Sequence, residues 1–234
     1  MPNRATVRAM DIALHGPWTQ QKFFSWAQVQ DMGYEFDGTK PVVIAGWTAG
    51  HSCVSGNVVV ALSARLGKAR HEVFRLAGME TTNQAIRYPD VLVSNSKAGN
   101  KAHLVADNSI VFEVIGPGSD HVDRIIKVRE YANVPSVRRY IIVDSTFIGL
   151  TVLERTFPDQ VWQTTVLTGA DILRMPEIEI DIPVAEIYEG IDFEDQNESP
   201  GRGLPAGNGV LSQDSSHNRT GVPRRCAPGR VLCR

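Results

Sequence analysis

Apolar positions in this chain fall into short runs separated by turn residues, and their spacing switches between the helical and the strand period. Thr19 is placed to cap a helix over 20–30, with Phe23, Phe24, Trp26 and Ala27 on its apolar side. Tyr34-Glu35-Phe36 runs into the turn pair Asp37-Gly38, and 41–45 reads as a strand. Val54, Val58, Ala61, Leu62 and Leu66 recur with helical spacing and predict a helix over 51–66 that starts at His51. A strand over 72–76 precedes a polar loop, and 86–93 reads as one strand with Pro89 near its start, where a missing N–H is tolerated. A second polar loop carries Lys97, Lys101 and His103. Ile110-Val111-Phe112-Glu113-Val114-Ile115 then forms a buried strand stopped by Gly116-Pro117-Gly118.

Ser119 or Asp120 can cap the next helix, predicted over 121–133. Its expected core face is Val122, Ile125, Ile126 and Ala132, with Asp123, Lys127 and Tyr131 as a polar stripe beside it. A strand over 140–144, a hairpin of 150–155 with 161–167, and a short helix over 183–188 complete the pattern. Helix, strand, helix, three strands, helix and three strands define an α/β domain: a central mixed sheet flanked by helices.

At 234 residues the chain fits one domain of about 150–200 residues with extensions. The expected division is an N-terminal extension over 1–10, a domain over 11–194, and a disordered tail over 195–234. That tail is rich in Gly, Pro, Ser and Arg and has too little apolar surface to offset the entropy of ordering. From Gly201 onward six arginines face one aspartate, a net of about +5, which leaves about −7 for the rest of a chain at −2. That balance excludes a non-specific nucleic-acid coat, so contact with phosphate requires a local cationic surface or a metal ion. No apolar run reaches the roughly 18–20 residues of a membrane span, and no apolar leader is visible. Cys53, Cys226 and Cys233 make no disulfide framework or zinc spacing. The expectation is a cytoplasmic protein with no membrane partner.

The candidate chemistry centres on Glu113. A carboxylate inside a core strand is costly to keep ionised unless a cation faces it, and Lys127 on the next helix supplies one. The strands before and after the second polar loop can pair as an antiparallel hairpin, bringing Asp90 of Pro89-Asp90 beside Glu113. Two close carboxylates repel unless they share a cation, and Mg²⁺ (or Mn²⁺), with oxygen ligands and waters, suits such a pair. Lys127 can then orient a water or stabilise charge on a phosphate. The same residues also fit a strand acid salt-bridged to a helix lysine with no chemistry.

Tyr34-Glu35-Phe36-Asp37-Gly38, His51 at a helix start, Arg87-Tyr88-Pro89-Asp90, Phe112-Glu113-Val114, Asp123-x-x-x-Lys127-x-x-x-Tyr131 and Pro135-Ser136-Val137-Arg138-Arg139-Tyr140 occur in one order. Together, over 10–193, they resemble the Uma2 (Uma-two) family of restriction-endonuclease-type proteins, within the PD-(D/E)xK nuclease superfamily. The resemblance implies a restriction-endonuclease-like core and a Mg²⁺-dependent endonuclease acting on DNA, in a group where homodimers are common. It implies metal binding by Asp90 and Glu113, with Glu35 as a further acid. Ile115 stands where the superfamily's lysine usually lies, and Lys127 resembles the displaced lysine. His51, Asp123 and Tyr131 are accessory candidates. Gly116-Pro117-Gly118 departs from the family's Ser-Pro-Ser and removes two hydroxyl donors. Two rival readings are a nuclease-like module that binds nucleic acid or a protein without cutting, and a phosphohydrolase of small nucleotides.

Overall fold

Fully buried apolar strands dictate the centre of the molecule. The computed structural model describes residues 17–44, 48–67, 70–116 and 122–193. The extension expected over 1–10, the tail expected over 195–234 and the side chain of Asp123 lie outside the described residues.

The central sheet contains β3 (Glu72–Arg75), β6 (Val91–Ser94), β7 (Asn108–Ile115), β8 (Arg139–Asp144), β9 (Leu150–Glu154) and β10 (Gln163–Leu167). Their order is β10-β9-β8-β7-β6-β3. Only β7 and β8 run parallel; every other pair is antiparallel, so the sheet is mixed. Every residue of β6, β7 and β8 is buried, as their apolar content requires. Leu92, Val111, Ile115, Tyr140, Ile142 and Leu153 pack with Tyr131 in one cluster. Glu113 falls between Val111 and Ile115 in the two-residue strand period, so its carboxylate points into that cluster's face.

A smaller sheet, ordered β2-β1-β5-β4, is built from β1 (Tyr34–Phe36), β2 (Pro41–Val43), β4 (Met79–Glu80) and β5 (Ile86–Arg87). β1 and β2 form a hairpin across Asp37-Gly38. Gly38 has φ +91, which a side chain would strain, and Asp37 Oδ1 accepts the Thr39 and Lys40 N–H groups at 2.8 Å each. Helix α1 (Gln20–Ala27), three residues shorter than expected, is capped as expected by Thr19, whose Oγ1 accepts the Lys22 N–H. It buries Phe23 against Phe36 and Ile86.

Helix α2 (Ala49–Arg65) starts two residues before His51 because Thr48 is its cap, accepting the His51 N–H at 3.1 Å. Val54, Val58, Ala61 and Leu62 are its buried stripe, and it packs on β3, β6 and β7. A two-stranded ribbon of β11 (Ile172–Met175) and β12 (Ile180–Pro183), which the apolar pattern did not predict, leads into the short helix α4 (Val184–Ile187). Among the described residues no helix is long and apolar enough to cross a membrane.

Two expectations are corrected. The strand expected over 86–93 is two strands in two sheets, because Tyr88-Pro89-Asp90 interrupts the ladder and hands the chain from β5 to β6. The helix expected over 121–133 begins as a wide π-helical turn (Val122–Lys127) and becomes α3 (Val128–Ala132). A turn closed i→i+5 rotates the faces relative to an α-helical count. Ile125 and Ile126, assigned to the core, are 44% and 40% exposed, whereas Lys127 and Tyr131 are 5% and 0% exposed. Lys127 and Tyr131 of the polar stripe face inward, where Glu113 accepts from both.

Candidate active site

Asp90 and Glu113 come together through the β6–β7 hairpin. Val91 is registered with Phe112, and continuing that antiparallel register by one residue sets Asp90 across from Glu113. Asp90 Oδ2 accepts the Val114 N–H at 2.7 Å, which fixes the carboxylate against the neighbouring strand. His51 Nε2 lies 3.2 Å from Asp90 Oδ1, brought there by its place in the first turn of α2. Both residues are buried.

Glu113 Oε1 accepts two hydrogen bonds, from Lys127 Nζ and from the Tyr131 hydroxyl, each at 2.8 Å. Lys127 and Tyr131 are four apart, one helical turn, so both reach the same oxygen. Burial, and then the charge of Glu113, push the Tyr131 hydroxyl well above the ordinary phenol range, so it stays a neutral donor. Its ring packs edge-on against Tyr140 at 4.9 Å, which holds that donor in place.

Lys127 is shared. Its Nζ also lies 3.2 Å from Glu35 Oε1, which accepts the Tyr88 N–H as well. Glu35 Oε2 accepts from Arg87 Nη1 at 3.0 Å. Arg87 in turn makes a forked pair with Glu130, at 2.7 and 2.6 Å. The chain of charges runs Glu113, Lys127, Glu35, Arg87, Glu130, alternating in sign and tying β7, α3 and the small sheet together. Burial alone would raise the Glu35 pKa; the charges of Lys127 and Arg87 and the Tyr88 N–H outweigh it and hold the carboxyl below its ordinary 4.5.

That direction sets a pH dependence. A carboxyl with a depressed folded-state pKa adds stability that is complete above its unfolded value and is lost as pH falls through the folded one. Glu35→Gln should therefore melt below wild type near neutrality, with the gap closing as the solution is acidified below about 4.5. A gap independent of pH in paired melting curves would show that Glu35 is not ionised in the native protein.

The fit to a divalent ion rests on the donor set. Among Asp90, Glu113, Glu35, Glu130, Lys127 and Arg87, the carboxylates outnumber the permanent cations by two. Among the described residues no three His, Cys, Asp or Glu side chains gather into a ready metal cage. Mg²⁺ does not need one: it is held through one or two carboxylates, with waters and substrate phosphate completing the octahedron. Asp90 and Glu113 fit that mode. Glu35, whose oxygens serve Arg87, Lys127 and the Tyr88 N–H, is placed to hold cationic side chains.

Arg87 and Glu130 were given no role by the sequence. Arg87 stood in the motif before Pro89-Asp90, and Glu130 carried no signal beyond its place three residues after Lys127.

An α/β core with a central mixed sheet flanked by helices is the architecture of a nuclease-like fold. A crystal structure described as "a putative nuclease belonging to DUF820", from Anabaena variabilis, superposes on it with a TM-score of 0.57 at 13% identity, covering 74% of this chain and 98% of that one. The chain belongs to the Uma2 family, whose model, described as "Putative restriction endonuclease", matches residues 20–185. It is also 23% identical over 178 residues to an uncharacterised Synechocystis protein, slr1290, covering 74% of this chain and 92% of that protein.

Proposed function

We propose that this protein is a metal-dependent endonuclease that hydrolyses phosphodiester bonds in DNA. The observation that carries the reading is the buried Lys127 ammonium held 2.8 Å from Glu113, the residue next to the Val114 N–H that Asp90 Oδ2 accepts. A bare structural salt bridge has no need of the second acid. Asp90 and Glu113 would hold Mg²⁺ (or Mn²⁺), which when bound polarises a phosphoryl oxygen and lowers the pKa of a coordinated water.

The chain's own residues supply the rest. Glu113 fixes Lys127 from one side and Glu35 from the other, so the ammonium is positioned before substrate arrives. Such a preset charge can orient the attacking water or stabilise the extra negative charge of the pentacovalent phosphate without reorganising. Tyr131 donates to Glu113 and holds its carboxylate in one orientation. His51 Nε2 lies 3.2 Å from Asp90 Oδ1 and faces that carboxylate. Phosphate backbone contacts would give DNA affinity, and the acid–lysine site would give the chemistry.

An ion that binds only the native state stabilises by about 2.7 kcal/mol at a hundred times its Kd. For a domain of this size that corresponds to a rise of roughly 5–10 °C in melting temperature. Millimolar Mg²⁺ or Mn²⁺ should raise the wild-type melting temperature, and Asp90→Ala should abolish the rise. Equal responses from both proteins would place the ion away from Asp90.

A further inference from the structure

Arg138-Arg139 leads into a feature that the nuclease reading leaves unused. A cleft of about 430 Å³ lies where β8 begins and β9 ends, and none of Asp90, Glu113, Lys127 or Glu35 lines it. Three arginines do: Arg138, Arg139 and Arg155. Its two carboxylates are both committed to Arg139, which forks to Glu177 and pairs with Glu154.

Among the described residues the other two cations have no such partner. Arg155 donates to four backbone carbonyls, those of Val137, Ala132, Pro158 and Val134, and its guanidinium lies over the Trp162 ring at 4.6 Å. None of those bonds ends on a carboxylate. Arg138 is half-buried on the cleft wall, and among the described residues its Nη1 has no hydrogen-bond partner. Burial and the adjacent Arg138 charge hold the Arg155 pKa below its ordinary value, and Asp159 opposes this without reversing it. An oxyanion in the cleft would offset the facing Arg138 and Arg155 charges.

We propose that this cleft binds a phosphate-class oxyanion, carried by a molecule of up to about mononucleotide size, with Arg138 as the principal donor. The planar guanidinium suits phosphate oxygens, and the cavity falls in the range of small-molecule sites. Thr156 and Gln163 on the wall add neutral donors. The phosphate could belong to a free nucleotide or to the end of a DNA strand, which share this chemistry.

The test is calorimetric titration of the full chain with inorganic phosphate and with a deoxynucleoside monophosphate. Wild type should bind saturably in the millimolar range or tighter, and Arg138→Gln should weaken binding by about tenfold or more, as expected for losing a charged donor. Thr156→Glu, at an exposed position, should weaken binding similarly by adding a negative charge while leaving Arg138 in place. Asp90→Asn should bind as wild type does, which separates this cleft from the acid site. Competition by the nucleotide, or only by a 5′-phosphorylated duplex over its unphosphorylated form, identifies the source, and either result supports the site. No saturable binding, or binding that neither cleft variant weakens, overturns it.

Discussion

Lys127→Ala should lower the Mg²⁺-dependent cleavage rate by about 10²-fold or more, the usual scale for losing one positioned electrostatic group. The reason lies in when the charge matters. Lys127 is already paired with Glu113 and Glu35 in the resting protein, so its added value comes as negative charge builds on the reacting phosphate. Duplex affinity should change far less, because one cation among several phosphate contacts is a small share of binding. The substitution also leaves two buried carboxylates facing each other, so melting curves must accompany the rates. A lysine that only ties strand to helix gives the opposite pattern, with activity lost in proportion to unfolded protein.

Arg87→Ala should be the most destabilising single change in the network. Arg87 is 3% exposed and serves both Glu35 and Glu130. Removing one partner of a buried ion pair strands the other, at about 3–5 kcal/mol. Against a total stability of about 5–15 kcal/mol that is a large fraction. The melting temperature should fall by roughly 6–20 °C at 2–4 °C per kcal/mol. Adding Glu130→Gln to Arg87→Ala should recover part of the loss by removing a stranded charge. A loss below about 1 kcal/mol, the scale of exposed pairs, would show that water reaches these groups.

The β6–β7 hairpin beside Asp90 and Glu113 was legible because two apolar runs are joined by one loop, and antiparallel pairing is the simplest way to bury both. The inward face of Lys127 was not legible. A 3.6-residue count placed Ile125 and Ile126 inside, and only the π-helical turn, which leaves no mark in the residue pattern, reverses that. The division of 86–93 was half visible: Pro89 marked a break in hydrogen bonding but could not show that the two halves join different sheets. β4, with two residues, is too short to read, whereas β11 and β12 alternate buried and exposed positions, and Ile180-Asp181-Ile182 carries that strand period openly. The Arg87–Glu130 fork joins residues 43 apart, a pairing set by tertiary structure alone.

The most direct test is nicking of supercoiled plasmid by wild type and Asp90→Asn, with Mg²⁺ and with chelator, on preparations of matched melting temperature. The account predicts Mg²⁺-dependent nicking by wild type, silenced by chelator, and a loss of about 10²-fold or more in Asp90→Asn. Wild type that binds DNA but cuts neither DNA nor nucleotides under any divalent ion, or Asp90→Asn that cuts at the wild-type rate, would contradict it.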